Sequence, residues 1–129
     1  MKYNSNPIFY LVDKGITVTK KSEVKGNYLY FPSTFEYQVY KTLLELDTPI
    51  VNQYPIDLKF TYWKVDFKLP SYDTLVEAKG FETEAYKLKL KAFRYYYPDA
   101  RLEIVKNLSQ ARELVSRLKQ RQVYSQSTK

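Results

Sequence analysis

Apolar residues along the chain change period several times, and each change marks an element. Ile16 to Lys20 and Asn27 to Phe31 alternate as short strands, joined by a Lys-rich turn that includes Gly26. From Phe35 the spacing becomes helical: Phe35, Val39, Leu43 and Leu46 form one stripe. Ser33 stands where an N-cap belongs, with Glu36 three residues on, so a first helix is predicted from Thr34 to Leu46, ending before Asp47-Thr48-Pro49. Ile50 to Phe60 reads as extended and is interrupted by Pro55. Thr61 to Leu69 and Thr74 to Lys79 are rich in β-branched and aromatic residues and flank the turn cluster Pro70-Ser71-Tyr72-Asp73, which predicts a hairpin.

Thr83 caps a second predicted helix, Glu84 to Tyr96, stopped by Pro98. Its Tyr86, Leu90, Phe93 and Tyr97 share one side, while Lys87, Lys91 and Arg94 share the next. Arg101 to Val105 is a short strand, and Ser109 caps a third helix to about Gln122 with a Leu108, Ala111, Val115 and Leu118 stripe. Residues 123–129 are expected to fray. This order predicts an α/β fold, a central mixed β-sheet flanked by helices, in one domain spanning 1–129 with N-terminal strands in 1–31.

The hairpin register carries the chemistry. A four-residue loop from Pro70 to Asp73 pairs Leu69 with Thr74, Phe67 with Val76 and Asp66 with Glu77. Glu77 and Lys79 then share a face, with Val76 and Ala78 on the other. Two carboxylates set directly opposite repel unless something compensates, and a divalent cation with hard oxygen ligands does so. A solvated face carrying ordinary charges, with Lys79 screening both acids, is the alternative for this spacing.

Composition narrows the chemistry. The 129 residues contain no cysteine and no histidine, which removes disulfides, thiolate zinc sites, cysteine nucleophiles and the commonest general base. Catalysis here would use carboxylates, lysine, hydroxyls or an oxygen-bound metal. Lys and Arg outnumber Asp and Glu by 21 to 14, and the formal charge of +7 favours a polyanionic partner, nucleic acid fitting best. The 14 tyrosines and seven phenylalanines can stack on bases, although most suit core and strand positions. No apolar run approaches a membrane span and no signal-type segment opens the chain, so a cytoplasmic protein without membrane association is expected.

From Phe31 to Val105 the order of residues resembles the PD-(D/E)xK nuclease superfamily. It is most similar to small phage and prophage endonucleases of the Holliday-junction-resolvase and phage endonuclease I type. The resemblance rests on Ser33-Thr34-Phe35-Glu36, Val65-Asp66-Phe67, Val76-Glu77-Ala78-Lys79-Gly80, and Thr83 followed by Tyr86-Lys87-Leu88-Lys89-Leu90-Lys91 and Tyr97-Pro98-Asp99. It implies a restriction-endonuclease-like core in which Asp66 is the first acid, Glu77 the second, Lys79 the motif lysine and Glu36 the helix-one acid. Val65 stands where the motif has proline.

The chemistry of these residues agrees with that resemblance. Asp66, Glu77 and the Ala78 carbonyl suit Mg²⁺ or Mn²⁺. Lys79 would place the attacking water or stabilise developing charge. Glu36 would bind a second ion or only cap its helix. Lys87, Lys91 and Arg94 would follow a phosphate backbone or simply form a solvated face. Glu82, Glu84, Asp57, Asp73 and Asp99 suit helix-start, surface or turn roles better.

The expected function is metal-dependent hydrolysis of DNA phosphodiester bonds at branched or junction structures, by a homodimer, since cutting both strands takes two sites. The alternatives are a sequence-specific homing or restriction-type endonuclease, a non-catalytic nucleic-acid-binding module, and a phage accessory protein that keeps the fold for protein contacts.

Overall fold

The computed structural model describes residues 6–127, with backbone alone for 122–127. Three antiparallel strands come first: β1 (Ile8–Leu11), β2 (Ile16–Val18) and β3 (Tyr28–Phe31), in the order β2-β1-β3. β2 and β3 lie where the sequence places them; β1 was not anticipated. Its Ile8-Phe9-Tyr10-Leu11 run lacks polar alternation because it is the central strand, with Tyr10 packed towards the main core and Phe9 against Tyr28 and Tyr30 on the other face.

Helix α1 (Thr34–Leu43) starts at Ser33, whose Oγ accepts from the Glu36 N–H at 3.1 Å. A 3₁₀ turn, Leu44–Leu46, tightens its end, and Asp47 turns the chain out with φ of 52°. The second sheet then forms from β4 (Val51–Asp57), β5 (Tyr62–Leu69), β6 (Thr74–Ala78) and β7 (Arg101–Val105), in that spatial order. β4 tolerates Pro55 because it is an edge strand. β5 and β6 pair antiparallel, and β6 and β7 pair parallel. A parallel neighbour requires a crossover, which α2 (Glu84–Tyr96) supplies.

Helices cover both faces of this sheet. Val39 and Leu43 of α1 and Ala111, Leu114, Val115 and Leu118 of α3 (Leu108–Ser127) pack with Phe67, Leu69, Val76 and Ala78. Tyr86 and Phe93 of α2 pack with Ile56, Leu58, Trp63, Val65 and Leu75 on the opposite face. The mixed sheet between helices is therefore as predicted. The third-helix stripe is spent on its own sheet.

Asn107, not Ser109, caps α3: its Oδ1 accepts from Gln110 N–H at 2.8 Å, and Gln110 Oε1 accepts in return from Lys106 N–H at 2.7 Å. α3 continues to Ser127, beyond the expected end at Gln122; residues 128–129 of the expected frayed tail lie outside the described residues. No helix among the described residues is long and apolar enough to cross a membrane.

Candidate active site

The hairpin pairs Leu69 with Thr74 and Phe67 with Val76, as its loop length dictates. Pro70–Tyr72 form a 3₁₀ turn, and Asp73 closes the loop with φ of 48°. The β5–β6 ladder stops at Phe67 and Val76, one step short of Asp66 and Glu77. Their side chains take over there: Asp66 N–H donates to Glu77 Oε1 at 3.0 Å, and Ala78 N–H donates to Asp66 Oδ2 at 2.8 Å. The two acids are cross-strand neighbours, as the register requires, and they lie buried in the opening between strands, not on a solvated face.

A backbone irregularity produces that opening. Trp63 and Val65 pack in the core under α2, whereas Phe67 and Leu69 pack in the core under α1 and α3. Residues of one parity normally share a face, so β5 changes its facing at Asp66. Opposite it on β4, Asn52 pairs with Phe67 and Tyr54 with Val65, while the intervening Gln53 is unpaired with φ of 53°. Alternation read from sequence carries no signal for such a break.

The first turn of α1 brings Glu36 to the same place. It is 8 % exposed, its carboxyl interacts with that of Asp66, and its Oε2 is buried without a hydrogen-bond partner among the described residues. The backbone of Glu36 serves the helix cap while its carboxyl joins the acid cluster, which separates the two roles considered for it. Burial, first of all, drives all three carboxyls to higher pKa, Glu36 and Asp66 to about 7 and Glu77 to about 8. Repulsion adds to it: Glu77 acts on Glu36, Glu36 on Asp66, and Asp66 on Glu77.

Lys79 is half-buried and shares the cluster's field, pulling each of the three acids back down. Its Nζ lies over the Tyr86 ring, 4.7 Å from the centroid. Spacing assigns Tyr86 only to the apolar stripe of α2; its place beneath Lys79 has no sequence signal.

Lys87, Lys91 and Arg94 are all exposed on α2, as the spacing requires, and Lys87 meets Glu84 at 3.5 Å. The remaining acids are occupied elsewhere. Glu82 meets Lys106 at 3.6 Å, Asp57 accepts from Lys59 N–H at 2.8 Å, and Asp73 and Asp99 occupy turns.

The oxygen donors present are chemically suited to a hard divalent cation. Burying three carboxyls within reach of one another's charge is costly unless protons or a cation offset it, and Glu36 Oε2 is an acceptor left open among the described residues. Ala78 directs its N–H to Asp66, and in an extended strand the carbonyl of the same residue points the same way. Among the described residues, however, no three Asp or Glu side chains are disposed to hold a metal between them. Asp66 and Glu77 each turn an oxygen to a backbone amide instead. The expected ligand set, two carboxylates and one carbonyl, does not require a third acid. Comparisons with protein-family models, with curated proteins and with solved structures give no match.

Proposed function

We propose that this chain is a metal-dependent endodeoxyribonuclease with a restriction-endonuclease-like core of the PD-(D/E)xK kind. In this reading it is a cytoplasmic homodimer acting on branched or junction DNA. The observation that carries the reading is the burial of Glu36, Asp66 and Glu77 together with Lys79 alongside, drawn from α1, β5 and β6. A fold places three repelling carboxyls in its interior at a cost in stability, and functional sites are where such costs are tolerated.

Asp66, Glu77 and the Ala78 carbonyl would hold Mg²⁺ or Mn²⁺. When bound, the ion supplies polarisation of a phosphoryl oxygen and a more acidic water. Glu36 offers Oε2 as an acceptor for a water proton. Lys79 Nζ orients the attacking water or a phosphate oxygen and balances negative charge as it develops. Lys87, Lys91 and Arg94 extend a cationic row from this end of α2, about 10 Å long at the helical rise, along which a phosphate backbone can lie.

A second reading is favoured by the lack of a ready three-acid metal set among the described residues: a nucleic-acid-binding module that uses the same basic row without catalysis. One experiment separates the two. Labelled duplex, single-stranded, flap and four-way-junction DNA are offered to wild type, Asp66→Asn and Lys79→Ala with Mg²⁺, Mn²⁺ or EDTA. The nuclease reading expects metal-dependent cutting that both variants lose while still binding DNA. Cutting retained by a folded variant overturns the site, and salt-sensitive binding with no turnover on any substrate favours the module.

A further inference from the structure

Tyr86 is 4 % exposed, and its Oη has no hydrogen-bond partner among the described residues. Buried phenols normally find one, and an unpaired buried hydroxyl is destabilising. Packing does not account for it. The ring meets Trp63 edge-on at 5.9 Å, just as Phe93 meets the same Trp63 at 5.5 Å without a hydroxyl.

The position of Tyr86 supplies a better account. The Thr83 cap fixes the first turn of α2, with Tyr86 N–H donating to Thr83 Oγ1 at 3.1 Å. This sets the ring under Lys79 Nζ. Glu77, Glu82 and Asp66 are the acids whose charges reach its hydroxyl, and Glu82 already has Lys106. Burial and these acids raise the phenol's pKa, so it remains a donor. A donor without an acceptor among the described residues, on a ring that lies under Lys79 and within the field of the acids, awaits an acceptor from outside.

We propose that Tyr86 is a further substrate-contacting residue of this site: its ring seats the Lys79 ammonium, and its hydroxyl donates to a nonbridging oxygen of the DNA phosphate being cut. This rests on the nuclease reading above.

Tyr86→Phe and Tyr86→Leu test it by three readouts: single-turnover cleavage, thermal melting without metal, and the NMR shifts of the Lys79 ε-methylene, which a ring face displaces upfield. Tyr86→Phe is expected to melt no lower than wild type, keep the upfield shift and cut roughly tenfold to a hundredfold more slowly, the scale of one lost hydrogen bond to a charged oxygen. Tyr86→Leu is expected to lose the upfield shift as well.

Tyr86→Phe cutting at the wild-type rate while Asp66→Asn is dead overturns the role of the hydroxyl and keeps the nuclease. Melting point and rate falling together in Tyr86→Phe also overturn it, because that is the signature of a structural hydrogen bond. If wild type cuts nothing, the nuclease reading fails and takes the hydroxyl's role with it. The Lys79 shift, compared between the Phe and Leu variants, then still decides whether the ring seats the ammonium.

Discussion

Glu36 lies in the first turn of α1, where the helix dipole favours an acid, yet burial and the Glu77 charge hold its pKa up at about 7. Its backbone N–H donates to Ser33 Oγ, so a change at the side chain leaves that cap in place. Glu36→Gln therefore isolates the carboxyl. The carboxyl's pKa is raised by folding, so its ionisation costs stability as pH passes through 7; a glutamine has no such cost. The variant should match wild type near pH 4 and exceed it by about 1–2 kcal/mol at pH 8 without metal, in urea melts. Cleavage should fall at least tenfold if the open oxygen takes part. No change in either quantity would reduce Glu36 to a capping residue. From sequence, a Ser-x-x-Glu pattern cannot separate these roles, because one residue provides both the capped amide and the free carboxyl.

At the scale of elements, the hairpin was legible because loop length and the β-branched and aromatic runs fix its register. The change of facing at Asp66 was not, because it depends on Gln53 of the neighbouring strand and on two helix layers competing for β5. Gln53→Gly tests the strain in that device. A non-glycine residue at φ of 53° is disfavoured by roughly 1 kcal/mol, so the variant should gain about that much in chemical denaturation, less what glycine adds to unfolded-chain entropy. A loss well beyond 1 kcal/mol would mean that the Gln53 side chain holds the break. β1 was missed for a related reason: a strand covered on both sides shows no alternation. The cap at Asn107 was misplaced because Ser109 is an equally good capping type, and only the returning bond from Gln110 distinguishes them. Helix α2 was readable throughout, since one buried and one solvated face is the pattern a period of 3.6 reports. Its basic row makes a separate prediction. Replacing Lys87, Lys91 and Arg94 by alanine should weaken DNA binding uniformly across sequences. The log–log salt slope should flatten by about 2–3 if all three contact phosphate. An unchanged slope would make the row an ordinary solvated face.

For the whole molecule, the acid cluster sets how stability depends on pH, with a sign opposite to that of ordinary acid denaturation. Glu36 and Asp66 at about 7 and Glu77 at about 8 all lie above the usual carboxylate values, so between about pH 4 and 8 the folded chain binds more protons than the unfolded one. The stability these groups contribute is complete below their unfolded pKa values and is lost as pH rises through 7 to 8. Without metal, the melting temperature should therefore fall from pH 5 to pH 8, by roughly 10 °C for a loss of about 3 kcal/mol in a chain of this size. Asp66→Asn should remove part of that fall, its own share and what its charge adds at Glu77, while burial keeps Glu36 and Glu77 raised. Saturating Mg²⁺ should reverse the trend, since ligands bind only after giving up their protons and the stabilisation from binding grows with pH. Differential scanning fluorimetry of both proteins across pH 5 to 8, with Mg²⁺ or with EDTA, reads all of this at once. A fall with pH in EDTA that Mg²⁺ does not reverse would show the carboxyls to be buried and coupled but not cation-binding. A flat response in both would show that water, not protein, surrounds them.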